Sequence, residues 1–516
     1  MRTNRRIQAS QLRYDLADRA FAEVHPDHVS NGEENLYATK VASYSKGLPH
    51  SCDQANFGEV EPAAYASLTR ALCSGKAADF EAIIPGVDAP GKWRKLTSPQ
   101  AGLALDLEGL DAQAVTLAPP PRLDSPEATS EMVELYWMAL CRDVHFGDYC
   151  SNTDIAAAVA ELNELPGFES LRPFTPDTLF RGFTPGDRQG PYLSQFLLHD
   201  ARFGTLTISQ RQQTKRPDTD YVTDINDWLD VQNGEVREPN PRQDLDPERR
   251  YLRNLRDLSH YVHFDALYEA YLNACLVLLD MGAPTDPGNP YNWYEKQAPF
   301  ATFGGPHVLS LVTEVATRAL KAVWYQKWFV HRRLRPEAYG GLIHLEKHNL
   351  GRYPFIPTQL RDAPVLTRVK DRWRSFLLPQ AFPEGSPTHP AYGAGHATVA
   401  GACVTVLKAW FEESWPAFHR RHAGAREAVV ASADGTTLSA YAGDETLTVG
   451  DELNKLAANI ALGRNAAGVH WRSDYTRSIE LGEQIAISIL REQLDTYNED
   501  HCLHLTKFDG QTITIG

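Results

Sequence analysis

Three separated stretches of the chain carry residue types suited to holding a tetrahedral oxyanion. The first, KWFVHRRLRP, places Lys327, His331 and Arg335 at i, i+4 and i+8, with Trp324 one turn before the lysine. On a continuous helix each step drifts by about 40°, so the three would stay within an arc of about 80°. Arg335 precedes Pro336, which disfavours helical backbone at that residue and predicts a helix end there. The second stretch, residues 385–411, passes from turn residues into a small and apolar run after His396. That change predicts a buried helix, and its leading N–H groups at Gly395 and His396 make a natural anion site. His389 lies seven residues before His396. In the third stretch, GRNAAGVHWRSD, Arg464 ends one helix, Gly468 breaks the chain, and His470 starts the next with Asp474 one turn on.

The chemistry follows from the types. One lysine and two arginines neutralise an oxyanion, and arginine suits bidentate contact to its oxygens. Backbone N–H groups add direction. One histidine can bond the central atom while another serves as acid or base. KxxxHxxxRP alone reads as basic residues complementing a helix dipole. The other two stretches tip the balance towards a binding pocket.

The elements that must position these residues are mainly helical. Residues 61–76, 127–146, a long pattern over 250–282, another of about 28 residues ending at Pro336, 453–464 and 471–494 all carry helical spacing. Strand signals are few, the best being TLTV near 446 and QTITI near 511. The expectation is an all-α fold of helical bundles around a buried pocket, with a few short peripheral strands. Residues 1–60 read as a polar, irregular arm for wrapping or oligomer contacts, and 61–516 as a single domain with its site within 320–475.

Composition narrows the function. The chain has 516 residues and a net charge of −15, which argues against a nucleic-acid partner. No apolar run approaches the ~20 residues of a membrane span. The basic N-terminus leads into no apolar segment, so no signal peptide is visible and a cytoplasmic or otherwise soluble protein is expected. Seven cysteines without CxxC spacing suggest neither a zinc site nor a dense disulfide framework. Cys275 and Cys403 sit in apolar helical patterns and read as buried thiols.

Together the motifs resemble the superfamily shared by vanadium-dependent haloperoxidases, type 2 phosphatidic acid phosphatases and bacterial acid phosphatases. Seven residues separate Lys327 from Arg335, one more than the usual phosphatase pattern. That gap, the second histidine in HPAYGAGHA, KWFVHRRLRPEAYGG and LNKLAANIALGRNAAGVHW are similar to the bromoperoxidases of algae and cyanobacteria. The likeness extends to KGLPHS, GPYLSQFLL, GTLTI and LTKFDG, and so covers most of the chain.

The resemblance implies vanadate as a non-covalently held group, in a site that phosphate can also occupy. His470 would supply the axial nitrogen to vanadium, while Lys327, Arg335, Arg464 and the Gly395 N–H would bond the equatorial oxygens. Hydrogen peroxide and bromide or iodide would be substrates, giving a hypohalous acid equivalent that halogenates a small organic acceptor. Vanadium would stay V(V) and act as a Lewis acid. His396 would be the acid–base group, Lys327 would polarise the peroxide oxygen, and His389 would favour bromide and iodide over chloride. The relatives are homo-oligomers, dimers or larger. The alternative use of the pocket is a phosphomonoesterase with His470 as nucleophile and His396 as general acid. A silent oxyanion-binding scaffold is a third reading.

One departure stands out. The text Gly393-Ala394-Gly395-His396 lacks the proline and serine of the family's PSGH-type motif. Losing a hydrogen bond to a charged group costs about 1–3 kcal/mol, so weaker vanadate retention or altered peroxide activation is expected. Around the site, Trp324 is expected to line the pocket and His331 to make a structural hydrogen bond. Arg332 and Arg333 are expected at the surface or an interface. Asp265 is the carboxylate expected to pair with Arg464, and Asp474 to orient His470.

Overall fold

The computed structural model describes residues 4–36 and 42–516. The centre of the molecule is a pair of crossing helices, one following the second motif and one the third. They are α8 (Gly395–Trp410) and α10 (Arg472–Leu494), numbered within a chain order that also includes α1 (Arg5–Ala22), α2 (Pro62–Ser74), α3 (Pro126–Leu140), α4 (Leu255–Phe264), α5 (Glu269–Met281), α6 (Gly305–Tyr325), α7 (Pro336–Lys347) and α9 (Val449–Ala466). Two glycines let the pair approach closely. A Cβ on Gly401 would sit 2.0 Å from the Ile479 carbonyl, and one on Gly482 would sit 1.9 Å from that of Thr398. Every residue of α8 except His396 is buried, as the small and apolar run predicts. α6, α9 and α3 pack around this pair in one continuous apolar core.

The strands are short antiparallel pairs at the periphery: Ala201–Phe203 with Leu206–Ile208, Gln212–Lys215 with Leu245–Arg250, Val429–Ala431 with Leu438–Ala440, and Leu503–Thr506 with Thr512–Ile515. QTITI is therefore a strand. TLTV is not: Leu447 makes one isolated bridge to Phe418, and the Thr448 side chain caps α9 by accepting from the Asp451 N–H. Thr at an N-cap followed by acidic residues outweighs its strand propensity.

Two helix expectations and one for irregular chain need correction. The pattern over 250–282 is two helices, α4 and α5, bent by 99°. Asp265 leaves helical backbone at ψ 140°, and Glu269 accepts the Ala266 N–H at the new helix start. Both pieces bury apolar residues in the same core, so the hydrophobic spacing runs through the bend unchanged. The stretch ending at Pro336 is likewise broken. α6 stops at Tyr325, a π turn covers Gln326–His331, Arg332 turns left-handed at φ 42°, and α7 begins after Arg335. The N-terminal region is not wholly irregular either, since α1 is an 18-residue helix with no buried residue. Among the described residues no single helix is long and apolar enough to cross a membrane.

Candidate active site

The break after α6 is what brings Lys327 and Arg335 together. Lys327 lies in the π turn, a local form often found at functional sites. Its Nζ donates to the Pro390 and Ala391 carbonyls at 2.9 and 3.1 Å. Arg335 is the N-cap of α7, held extended at ψ 147° because Pro336 follows. Its guanidinium donates to the His389 and Val469 carbonyls, to His470 Nε2 at 3.0 Å and to His389 Nδ1 at 2.9 Å. The two cations thus reach one pocket from separate elements, not from one helix face.

The other motifs close on the same point. Gly395 is the first residue of α8, and a Cβ there would meet the Trp324 ring at 3.2 Å. That ring also lies 4.9 Å from the His389 ring and 5.5 Å from Lys327 Nζ, so Trp324 lines the pocket as expected. Arg464, in the last turn of α9, donates to the Val262 carbonyl at 2.8 Å and lies over the Phe382 ring at 5.2 Å. Its Nε is buried with no hydrogen-bond partner. His470 sits in the loop opened by Gly468, at φ 86°, just before α10. Asp474 Oδ2 accepts from His470 Nδ1 at 2.8 Å and from the Trp471 N–H at 3.0 Å. This places the His470 proton on Nδ1 and leaves Nε2 as the acceptor that Arg335 uses.

Among the described residues Lys327, Arg335 and Arg464 form no ion pair, although they are 0, 1 and 5 % exposed. Burial pushes Lys327 well below the usual lysine range, and the Arg335 charge adds to this. Arg335 and Arg464 are both brought down to about 10 by burial. Burial and the neighbouring cations also hold His389 and His470 well below the ordinary histidine value, so both are neutral at neutral pH. Three uncompensated buried cations around a neutral imidazole favour an anion strongly. The donor set therefore fits an oxyanion of the vanadate or phosphate kind.

His396 Nε2 pairs with Asp265 Oδ1 at 3.0 Å. Asp265 thus serves His396 directly and reaches Arg464 only through its field, which corrects the expected pairing. His331 also departs from expectation: both ring nitrogens are buried without partners, and the ring packs edge-on to Tyr392 at 4.9 Å. Arg332 pairs with Glu34. Arg333 is no surface charge. It is 3 % exposed, donates to Asp474 Oδ1 at 2.8 Å and pairs with Glu131 at 3.2 Å. The left-handed turn at Arg332 directs this side chain inward, which helical spacing could not indicate. At Ala394 no hydroxyl faces the pocket, and its N–H donates to Ser478 Oγ at 2.8 Å.

Residues 308–499 match the family model of the second helical-bundle domain of VCPO. The chain is 39 % identical to the vanadium-dependent bromoperoxidase of Corallina officinalis over 99 % of this chain and 98 % of that protein. It is 34 % identical to the Ascophyllum nodosum enzyme of the same name, over 94 % and 88 % of the two chains. The chain belongs to the vanadium-dependent bromoperoxidase family. A second vanadate-dependent bromoperoxidase of Ascophyllum nodosum, solved as a homohexamer, superposes with a TM-score of 0.92 at 28 % identity. That match covers 100 % of this chain and 91 % of the other. This member of the bromoperoxidase family thus keeps the all-α fold while carrying Ala394 in the motif that leads its central helix.

Proposed function

We propose that the chain is a vanadium-dependent haloperoxidase that oxidises bromide or iodide with hydrogen peroxide and so halogenates small organic acceptors. The observation that carries this reading is the trio of buried, unpaired cations beside a neutral His470. The names of the relatives favour it over a phosphomonoesterase.

Lys327, Arg335, Arg464 and the Gly395 N–H would hold the oxygens of vanadate, and His470 Nε2 would bond its metal. When bound, vanadate supplies a V(V) Lewis acid that makes a peroxide oxygen electrophilic. Asp474 keeps the proton on His470 Nδ1, so Nε2 carries the lone pair, which accepts from Arg335 in this structure and would turn to the metal. Lys327 adds positive charge where oxygen charge develops. His396, oriented by Asp265, is positioned to take or return a proton at its ring. His389, held by Arg335 and packed at a tilt against Trp324, shapes the halide side of the pocket and favours bromide and iodide.

The domain reading is an arm of residues 1–60 and one helical domain from 61 to 516, with the arm serving assembly as a homo-oligomer. In α1 the side chains of Ile7, Tyr14 and Phe21 are 62, 68 and 90 % exposed at seven-residue spacing, a line suited to a second copy. The structural relative is a homohexamer.

The test is bromination of monochlorodimedone by apo-protein with peroxide and bromide, before and after orthovanadate, beside a p-nitrophenyl phosphate control. The reading expects bromination only with vanadate and none in His470→Ala. Phosphate release without vanadate-dependent bromination would replace it with the phosphomonoesterase.

A further inference from the structure

The end of α4 carries a second histidine–carboxylate pair that the mechanism above does not use. His263 Nε2 donates to Glu384 Oε1 at 2.6 Å, and the two side chains are 11 and 8 % exposed. The far atom of each group, His263 Nδ1 and Glu384 Oε2, is buried with no hydrogen-bond partner. The His263 ring stacks on Phe382 at 3.7 Å, and Arg464 lies over the same Phe382 ring. One turn earlier on α4, His260 Nδ1 is also buried without a partner. His260 and Asp265 line a cleft of about 230 Å³ with Gln213, Arg249, Phe264 and Glu269. The His263–Glu384 pair thus shares α4 with the cleft residue His260 and shares the Phe382 ring with Arg464.

The overall reaction consumes a proton, which has to reach His396 and the buried pocket from solvent. Bromide attacks one peroxide oxygen, the Br–O bond forms and the O–O bond breaks. Bromide loses two electrons, and the departing oxygen leaves as hydroxide, which one proton converts to water. Each turnover thus consumes one proton from solvent. Lys327, Arg335 and Arg464 are committed to holding charge, so they are poor couriers.

We propose that His263 and Glu384 form a proton relay that supplies this proton to the active site. A proton arriving at His263 Nδ1 releases the Nε2 proton to Glu384 Oε1, and turning of the neutral carboxyl group then presents that same proton to the site and restores the carboxylate when it leaves. The imidazole is left with its proton on Nδ1 and regains the Nε2–H arrangement when the ring turns over. Burial lowers His263 below the ordinary histidine value against the pull of Glu384, with Arg464 and Lys215 adding to the lowering. Burial pushes Glu384 up, but the His263 bond and the Arg94 charge outweigh it. The pair therefore rests as neutral imidazole and carboxylate, the state such a relay requires. Lys46 and Arg94 hold the Glu384 carbonyl, and Lys215 faces His260 as well as His263.

The relay rests on the haloperoxidase reading, and the test separates them. Vanadate-loaded wild type, His263→Gln and Glu384→Gln are compared for bromination across pH at saturating peroxide and bromide. Both variants should lose about tenfold or more in kcat, increasingly as pH rises, with partial rescue by imidazole. Their vanadate-induced rise in melting temperature should match wild type. Profiles that superimpose on wild type and ignore imidazole would overturn the relay, and so would a parallel loss of vanadate binding. If one variant does not fold, the other reports on the same bond. A solvent deuterium isotope effect of unity on wild-type kcat also overturns it. Wild type that does not brominate with vanadate instead defeats the haloperoxidase reading itself.

Discussion

Arg333 donates to Oδ1 of Asp474 at 2.8 Å, while the other oxygen of that carboxylate holds His470. Glu131 in turn pairs with Arg333, so a buried line of alternating charge runs from α3 to the imidazole. Asp474→Asn should lower vanadate affinity by about 10–100-fold, the usual cost of losing such a supporting bond to a metal-bound histidine. Arg333→Met breaks a buried pair and should destabilise the protein by about 3–5 kcal/mol as well. Vanadate titration and urea unfolding of both variants check this.

Ala394→Ser restores a hydroxyl at the N-cap of α8, where the present side chain makes no capping bond. A cap bond is worth about 0.5–2 kcal/mol, so the melting temperature should rise without any ligand. If the hydroxyl instead turns to the oxyanion, vanadate binding should tighten by about 1–3 kcal/mol. Scanning calorimetry with and without vanadate separates the two gains.

The unpaired cations predict that phosphate and vanadate both stabilise the fold and compete with each other. A ligand at one hundred times its Kd adds about 2.7 kcal/mol to stability. Arg335→Gln and Arg464→Gln should each weaken this response, which thermal shift against oxyanion concentration measures directly. An unchanged response in both variants would place the anion elsewhere.

Acid should unfold the protein through its buried histidines. Burial lowers His331 to about 3 and His50 and His344 to about 4, against about 6.5 in an unfolded chain. A lowered histidine leaves stability fully present above about pH 6.5 and removes it as pH falls towards the folded values. Each such residue adds about 1.4 kcal/mol per pH unit to the slope within that window. His331→Phe should therefore flatten the slope by about one proton, read from urea unfolding at about pH 6 and about pH 5.

Much of this protein was legible in its sequence. The small, apolar run after His396 dictates a buried helix, and the Gly468 and Pro336 breaks mark where neighbouring helices start. Residue type singled out Lys327, Arg335, Arg464 and the histidines as candidates and the Gly395 N–H as a helix-start donor, while the role of each came from the family resemblance. The Asp474 partnership followed from one helical turn. Tertiary structure decided the rest. The π turn after Tyr325 and the bend at Asp265 leave hydrophobic spacing intact, since both flanking helices face one core. Only the fold could therefore show that Lys327 and Arg335 converge across a break and that Arg333 points inward to Asp474. Asp265 reaching His396, and His263 meeting Glu384, join residues more than a hundred positions apart. Such pairings arise from how the helices pack, and no local pattern encodes them.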